Sequence, residues 1–318
     1  MPPQKIIIDT DPGIDDSMAI FFALSSPELE VIGLTTVFGN VHVDLAATNA
    51  LRLLEIAGRT DIPVAKGAAN SLIGDYDHPP AHIHGDDGQG NVHLPPPAGK
   101  PIDQTSAQFI VAQVMANPGE ITLVPIGPLT NIALALRLEP RIAQNVKQVV
   151  LMGGNALVPG NSTPAAEANI KDDPEAADVV FGAGWPVTMV GLDVTTKAVV
   201  TDEQLQSYAR SSSPMAQHIA RICPFYLDFS RRVNGNAVGG LLVHDSTAIA
   251  YLLVPDAFTV KSWPVRVETQ GMSRGKTWPL VRPNTRATYW HNRPNVNVCV
   301  DIDSARTIAL ELSRVAPV

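Results

Sequence analysis

The amino-acid sequence predicts an α/β fold in which an open, mostly parallel sheet carries helices on both faces. Short apolar runs typical of buried strands alternate with runs of helical periodicity, an order typical of parallel sheets. The apolar runs also end in turn residues and polar side chains, at the strand ends where open sheets bind ligands. No linker divides the chain. We therefore expect residues 1–318 to form one domain with a helical and loop elaboration over the active face.

The N-terminal region begins this alternation. Predicted strands cover residues 6–8, 31–37 and 62–65, and predicted helices cover residues 15–24 and 44–57. Residues 66–100 break the pattern with a stretch rich in turn residues that holds four histidines: His78, His82, His84 and His93. A loop of this length in a compact domain is usually functional and is often a lid.

The alternation then returns. Periodicity predicts helices over residues 106–116, 129–137 and 174–181, and strands over residues 121–124, 149–152 and 187–190. Three helices follow over residues 203–209, 214–229 and 246–253. The C-terminal part contains predicted strands over residues 260–267, 277–281 and 296–302, and a closing helix over residues 304–315.

The composition excludes several classes of function. A chain of 318 residues with 45% hydrophobic and 17% charged residues can bury a large core, and its net charge of −8 argues against a nucleic-acid polymer or an anionic membrane as partner. The N-terminus is too short in apolar residues for a signal peptide, and no apolar run reaches the length of a membrane span. Cys223 and Cys299 are expected to be reduced core thiols. We therefore expect a cytoplasmic protein.

Four carboxylates follow the first predicted strand: Asp9, Asp11, Asp15 and Asp16. The intervening proline and glycine end the strand and turn the chain. Four acids this close together repel one another, and a hard divalent cation bound by oxygen atoms would offset that repulsion. Simple capping of the following helix would account for one acid only.

The segment from Asp9 to Asp16 resembles the N-terminal signature of the nucleoside hydrolases, calcium-dependent N-ribosyl hydrolases of the inosine–uridine type. Further segments similar to that family follow in the family's order: residues 37–40, 83–85, 123–133, 149–154, 166–170, 173–177, 191–195 and 243–245. The resemblance spans nearly the whole chain. It implies a Rossmann-like nucleoside hydrolase fold and hydrolysis of the N-glycosidic bond of ribonucleosides to ribose and free base.

The resemblance also implies a metal site. Its ligands would be Asp11, Asp16, the backbone carbonyl of Ile126, and Asp245, with Ca²⁺ as the cofactor. Asp11 would in addition act as the general base on the attacking water. Cleavage of an N-ribosidic bond builds an oxocarbenium-like sugar, so an activated water and help for the departing base are both needed. Asp9 is expected to support the metal site from behind.

The resemblance assigns substrate-binding residues as well. Asp15 and Asn40 would contact the ribose ring hydroxyls, and Asn161, Glu167 and Asn169 would line the 5′ side. Asn40 and Asn161 each follow a glycine, so turn formation is the alternative explanation for both. His244 and His84 would contact the base, and His244 is the first candidate for the acid that protonates it because histidine titrates near neutrality. His82 is a weaker candidate.

The region expected to contact the base departs from the family. Residues 225–236 and 271–278 lack its usual pattern, which leaves the preference for purine or pyrimidine open. Arg231, Arg232 and Asn236 are candidates for stacking on the base or binding its edge, although an arginine can equally be a surface charge. Trp278 is a candidate aromatic wall.

Two other functions compete with hydrolysis of ribonucleosides. Asp9-Thr10-Asp11 also fits a haloacid-dehalogenase-like phosphatase, although Pro12 and Gly13 depart from that pattern. A non-enzymatic nucleoside- or sugar-binding protein is the second alternative, and the acid cluster argues against it. For the favoured function we expect small-molecule ribonucleosides as ligands and a homotetramer or homodimer as the assembly.

Overall fold

A computed structural model describes residues 2–76, 78–234, 238–283 and 286–317. This part of the chain contains eleven strands: β1 (Gln4–Thr10), β2 (Leu29–Thr36), β3 (Val64–Lys66), β4 (Thr122–Pro125), β5 (Gln148–Met152), β6 (Val187–Val190), β7 (Val199–Thr201), β8 (Gly240–Leu242), β9 (Phe258–Val267), β10 (Thr277–Pro279) and β11 (Asn295–Ile302).

The same part of the chain contains thirteen α-helices. They are α1 (Ile14–Leu24), α2 (Val43–Ile56), α3 (Ala81–His84), α4 (Ser106–Ala116), α5 (Thr130–Leu138), α6 (Ile142–Asn145), α7 (Ala168–Asp172), α8 (Pro174–Phe181), α9 (Leu192–Thr195), α10 (Asp202–Arg210), α11 (Pro214–Asn234), α12 (His244–Leu253) and α13 (Ser304–Val315). Among the described residues, no helix is both long enough and apolar enough to cross a bilayer.

Nine of the strands form one sheet in the order β10-β9-β11-β6-β5-β4-β1-β2-β3. Every neighbouring pair from β3 through β11 is parallel, whereas β9 and β10 are antiparallel to their neighbours at one edge. The predicted open, mostly parallel sheet is therefore confirmed. Strands β7 and β8 pair separately as a small antiparallel sheet that the sequence did not predict.

The isoleucine run of β1 explains how the sheet is covered on both faces. Successive strand residues point to opposite faces. Ile6 and Ile8 accordingly pack into one buried cluster with α1, α2, α11, α12 and α13, and Ile7 packs into a second with α4, α5, α6 and α8. A strand that buries both faces reads as a continuous apolar run, which is why three isoleucines were a usable signal.

The order of the strands fixes where a ligand can bind. From β1 the chain moves through β2 and β3 to one edge, and then returns to β4 and moves through β5 and β6 toward the other. The order reverses between the neighbours β1 and β4. A crevice opens at such a switch point beyond the carboxyl ends of the strands. Residues after β1, β2 and β4 are therefore brought together at one place.

Candidate active site

The acid that opens α1 is held by a complete set of hydrogen bonds. Asp16 Oδ1 accepts from the hydroxyl of Thr10 (2.6 Å) and the amide of Asp11 (3.3 Å). Its Oδ2 accepts from the amide of Gly13 (3.0 Å) and the side-chain amide of Asn40 (2.8 Å). Asp16 is fully buried. These donors fix the carboxylate at the base of the crevice.

Asp11 is buried beside Asp16, but in the described part of the chain only one of its two carboxylate oxygens accepts a hydrogen bond. Its Oδ2 accepts from the backbone amide of Asn40 at 2.6 Å, whereas Oδ1 has no hydrogen-bond partner among the described residues. Gly39 and Gly127 make this position possible, because a Cβ on either would collide with the carboxylate. A buried polar atom without a partner costs free energy, and a bound ion or water is a common reason for it.

Three carboxylates converge in the same crevice. Oxygen atoms of Asp15, Asp16 and Asp245 lie within 4.8 Å of one another, and all three residues are buried. Burial, reinforced by the charge of Asp16, raises the pKa of Asp15 to about 8. Burial followed by the neighbouring acids raises the pKa of Asp245 well above its usual value, and that of Asp11 likewise. A bound cation would offset the repulsion among these acids and favour their charged forms.

The group of three differs in one carboxylate from the predicted ligand set. It includes Asp15, which the family resemblance assigned to ribose, and it does not include Asp11. Asp11 is nevertheless close enough that the charge of Asp16 raises its pKa. The four acids therefore form one electrostatic unit, in which hydrogen bonding distinguishes the members.

The backbone after β4 meets the same crevice. The amide of Ile126 donates to the carbonyl of Asp9 at 2.8 Å, so this segment continues the parallel pairing of β4 with β1. The carbonyl of Ile126 accepts from the side-chain amide of Asn169 at 2.8 Å. A carbonyl oxygen has two lone pairs, so this contact leaves one for another partner.

Helix α7 and the segment before it contribute further polar residues. Glu167 caps this helix by accepting from the amides of Asn169 (2.9 Å) and Ile170 (3.1 Å), and it also accepts from the amide of Gly154 (2.9 Å). Burial raises its pKa to about 7. Asn161 is exposed, and its side chain accepts from the amide of Ala168 at 3.1 Å. Asn161 therefore fixes the start of α7.

Two buried histidines, His84 and His244, lie near these acids. Nδ1 of His84 accepts from the amide of Ile14 at 3.1 Å and lies 4.0 Å from Asp15 Oδ1. The ring of His84 packs at 5.5 Å from that of Tyr226. Nδ1 of His244 lies 2.8 Å from the hydroxyl of Thr195. Burial lowers the pKa of His84 to about 3 and that of His244 to about 4, so both rings are neutral near pH 7.

Asp9 lies behind this set at the end of β1. Its Oδ1 accepts from the hydroxyl of Thr35 (2.5 Å) and the side-chain amide of Asn131 (2.8 Å). Burial raises its pKa to about 7. Asn131 also donates to the carbonyl of Thr36, so it ties α5 to both central strands. The structure therefore brings the predicted residues to one crevice, with Asn161 at its exposed margin.

The chain was compared with known proteins. Residues 6–309 match the family model described as inosine-uridine preferring nucleoside hydrolase. A probable uridine nucleosidase 2 from Arabidopsis thaliana is 46% identical over 314 residues, covering 98% of this chain and 97% of the relative. A pyrimidine-specific ribonucleoside hydrolase from Shewanella woodyi is 42% identical over 313 residues, covering 96% of each. A solved plant nucleoside hydrolase superposes with a TM-score of 0.95 at 40% identity, covering all of both chains.

The chain belongs to the nucleoside hydrolase family.

This membership confirms the resemblance found in the sequence and decides among the three candidate functions. A family match over nearly the whole chain favours neither a phosphatase nor a non-enzymatic binding protein. The protein is a ribonucleoside hydrolase: it cleaves the N-glycosidic bond and releases ribose and base.

Several residues of this nucleoside hydrolase site were not assigned from the sequence. Thr10, Asn131 and Thr195 all lie inside segments that resemble the family, yet each acts by holding another side chain. Asp172 was also missed. It is mostly buried, and its charge raises the pKa values of Asp11 and Glu167. The position of Thr10 between two acids could have identified it from the sequence as a site residue. Nothing about Asp172 in the sequence, apart from its charge, indicates such a role.

The structure places the residues that were predicted to contact the base in different environments. Arg231 pairs with Asp202 at 2.6 Å and both are exposed, which favours the surface-charge explanation. Trp278 lies on the edge strand β10, where its carbonyl accepts from the indole of Trp290 at 2.8 Å. Arg232 is exposed, and Asn236 lies outside the described residues. Tyr226, which packs on His84, is the aromatic group of α11 that lies near the acids.

Proposed function

We propose that this protein is a calcium-dependent ribonucleoside hydrolase that prefers uridine. The observation that carries the calcium assignment is the convergence of three buried carboxylates, together with the neighbouring Asp11, whose Oδ1 has no partner among the described residues. Carboxylate and carbonyl oxygens are the ligands that Ca²⁺ prefers, and it tolerates six to eight of them in flexible geometry. Asp11, Asp16, Asp245 and the Ile126 carbonyl supply such oxygen atoms.

The residues present fit this cation, which would be held by Asp11, Asp16, Asp245 and the Ile126 carbonyl. When bound, a divalent ion lowers the pKa of a coordinated water and orients the ribose diol. Asp11 is the group that receives the proton of the attacking water, because its Oδ1 is free to accept. Asp16 is suited to fixed charge rather than to accepting a proton, since four donors hold its two oxygens in one orientation.

The ribose is oriented by groups on two walls. Asp15 and Asn40 stand at the carboxyl ends of β1 and β2 and accept or donate to the ring hydroxyls. Glu167 and Asn169 do the same for the 5′ side from α7. The backbone amides that hold Glu167 keep its carboxylate in one orientation. Fixed polar groups of this kind reduce the entropy lost on reaching the reactive geometry.

His84 and His244 contact the departing base. His84 accepts from the Ile14 amide through Nδ1, so its proton is on Nε2 and that atom donates to the base. His244 contacts the Thr195 hydroxyl, which can donate or accept and therefore leaves the tautomer of His244 open. Negative charge developing on the base favours the protonated ring, which makes His244 the proposed proton donor.

The preference for uridine is supported by the relatives. Two of them, at 46% and 42% identity, are described as a uridine nucleosidase and a pyrimidine-specific hydrolase. The base side of the crevice, with Tyr226 packed on His84, offers an aromatic surface that is compatible with a flat pyrimidine.

A nucleoside panel tests this proposal. Purified protein with Ca²⁺ is incubated with uridine, cytidine, inosine, adenosine, guanosine and 2′-deoxyuridine, and the free sugar released, ribose or 2-deoxyribose, is measured. Uridine should be cleaved with the highest kcat/KM, and 2′-deoxyuridine roughly 10²-fold or more slowly, because buried groups built for the hydroxyl stay unpaired. Removal of Ca²⁺ by a chelator should abolish release, and added Ca²⁺ should restore it. Equal rates on uridine and deoxyuridine would contradict the proposed diol contact.

A further inference from the structure

A buried glutamine lies beneath the turn that carries the acids. Gln89 is 2% exposed and belongs to the loop that follows α3. Its Nε2 lies 3.1 Å from the carbonyl oxygen of Gly13 and 3.4 Å from that of Pro12. The hydroxyl of Ser17 donates to the same Gly13 oxygen at 2.6 Å. Residues 11–16, here termed the acidic turn, are thus supported from below by side-chain donors.

The opposite end of the Gln89 amide has its own partner. Its Oε1 lies 2.9 Å from Nε2 of His218, which belongs to α11 and is 3% exposed. A flipped amide would place Oε1 against the carbonyls of Pro12 and Gly13, where two acceptors would face each other. The hydrogen bonds therefore require the proton of His218 on Nε2. The low pKa of His218, about 4 because of burial, agrees with a neutral ring.

The loop that carries Gln89 is itself firmly held. The carboxylate of Asp87 accepts from the amides of Gln89 (2.7 Å), Asn91 (2.8 Å) and His93 (2.7 Å). The side-chain amide of Asn49 bridges the carbonyls of Asp87 (2.9 Å) and Pro12 (3.2 Å). Gln89 consequently has a fixed backbone from which to support the acidic turn.

We propose that Gln89 is a positioning residue for the acidic turn and that His218 sets its orientation, so that helix α11 is coupled to the metal-binding carboxylates. This inference rests on the proposed metal site. The acidic turn carries Asp11, Asp15 and Asp16, whose spacing decides how well they hold a cation. Gln89 acts on that spacing through two backbone carbonyls, because both anchor the turn that connects β1 to α1.

The first test replaces Gln89 by methionine, which has a similar unbranched shape and no hydrogen-bonding amide. Partners that support metal ligands typically contribute 10- to 100-fold to metal affinity, so Gln89→Met should weaken Ca²⁺ binding by roughly that factor. Calorimetric titration of the metal-free protein measures it. Hydrogen exchange of the metal-free variant should also be faster over residues 12–17. Gln89→Glu should act in the same direction, because a carboxylate cannot donate to the two carbonyls.

A matched control separates positioning from a general loss of stability. Trp185 is buried on the other face of the sheet, and its indole donates to the Val180 carbonyl at 2.9 Å. Trp185→Phe therefore also loses one buried hydrogen bond, but it should leave Ca²⁺ affinity and exchange over residues 12–17 as in the parent. Equal effects of Gln89→Met and Trp185→Phe on both measurements would overturn the inference.

A double-mutant cycle tests the role of His218. His218→Phe keeps a ring for the edge contact with Phe21 and removes the N–H that holds Gln89. If His218 acts through Gln89, adding His218→Phe to Gln89→Met should produce no further loss of Ca²⁺ affinity. Independent effects that multiply would overturn the proposed coupling to α11.

The two readouts also separate this inference from the proposed function. Parent protein that bound no Ca²⁺ would contradict the proposed metal site. In that case faster exchange over residues 12–17 in Gln89→Met but not in Trp185→Phe would still support the role of Gln89. Unchanged exchange in Gln89→Met would overturn it.

Discussion

Residues of the same type take different roles in this site because their hydrogen bonds differ. Asp16 has four donors on its two oxygens, whereas Asp11 has one oxygen with no partner among the described residues. The first is suited to fixed charge and the second to accepting a proton. His84 is committed to one tautomer by the Ile14 amide, whereas His244 faces a hydroxyl that permits either.

At this scale, His244 and Asp245 are neighbours with distinct expected functions. His244→Ala should lower kcat on uridine by roughly 10²–10⁴-fold, the range usual for general acid–base catalysis. On p-nitrophenyl riboside, whose leaving group needs no proton, the same variant should be nearly unaffected. Asp245→Ala should damage both reactions, because its carboxylate serves the metal and the water in every substrate. Release of ribose and of p-nitrophenol measures the two rates.

Equal losses on both substrates in His244→Ala would contradict the assignment of His244 as the acid. His244 would then only pack beside the acids, and His84 would be the next candidate. Histidine ordinarily titrates near neutrality, which is why the sequence favoured His244 as the acid. Burial lowers its pKa to about 4, so the proton must be favoured by charge that develops on the base rather than be present at rest.

At the scale of elements, the sequence predicted best the helices and strands whose bounds depend on neighbouring residues in the chain. Helix α8 and strand β6 have the predicted bounds, because Pro174 marks the helix start and an apolar run fills the strand. Strands β7 and β8 were missed, since each has three residues and its partner lies about 40 positions away. The predicted long loop over residues 66–100 contains the short helix α3.

The same distinction applies to the site. The acids after β1 could be predicted because they lie within a few residues of one another and are too numerous for a cap. The contacts that position them could not. Gln89 meets His218 from 129 positions away, and Asn131 meets Asp9 from 122 positions away. Such pairs leave no periodicity or local motif, so they become visible only when the fold brings them together.

The turn after β4 offers a prediction about elements. Gly127 lies where a Cβ would collide with Oδ1 of Asp11, so Gly127→Ala should displace the carboxylate or the Ile126 segment. We expect kcat on uridine to fall by roughly 10-fold or more, since a small misplacement of reacting groups is costly. Thermal unfolding should still show one cooperative transition. The assay is ribose release at saturating Ca²⁺.

Gly74→Ala is the control for this substitution. A Cβ at residue 74 would meet only the Ser71 hydroxyl at an ordinary contact distance of 3.6 Å. It should therefore leave kcat as in the parent. If Gly127→Ala also retained full activity, the close packing of Asp11 against this turn would not be required for turnover.

At the scale of the whole molecule, the site is one place in a sheet whose two faces are covered by separate helix layers. The single domain over residues 1–318 and the homodimer or homotetramer stay predictions. One helix layer also carries a further buried acid. Glu311 of α13 accepts from the hydroxyl of Tyr208 in α10 at 3.1 Å, and burial raises its pKa to about 7.

This acid makes the stability of the whole molecule depend on pH. The ordinary value for glutamate is 4.5, so between pH 4.5 and about 7 the folded protein keeps a proton that the unfolded chain has lost. The contribution of this group to the free energy of unfolding is fully present below pH 4.5 and is lost as the pH rises through about 7. A shift of this size corresponds to on the order of 3 kcal/mol over the window.

Glu311→Gln should remove this dependence, because the amide is neutral at every pH and can still accept from Tyr208. Urea unfolding of the variant and its parent at pH 5, 6, 7 and 8 measures the difference in free energy of unfolding. The free energy of unfolding of the variant, relative to that of the parent, should increase as the pH rises. Glu203→Gln changes an exposed acid on α10, and its free energy of unfolding should differ from that of the parent by the same amount at every pH. A difference between Glu311→Gln and the parent that stays constant from pH 5 to 8 would mean that Glu311 is ionised in the folded protein throughout, with its charge stabilised by neighbours other than Tyr208.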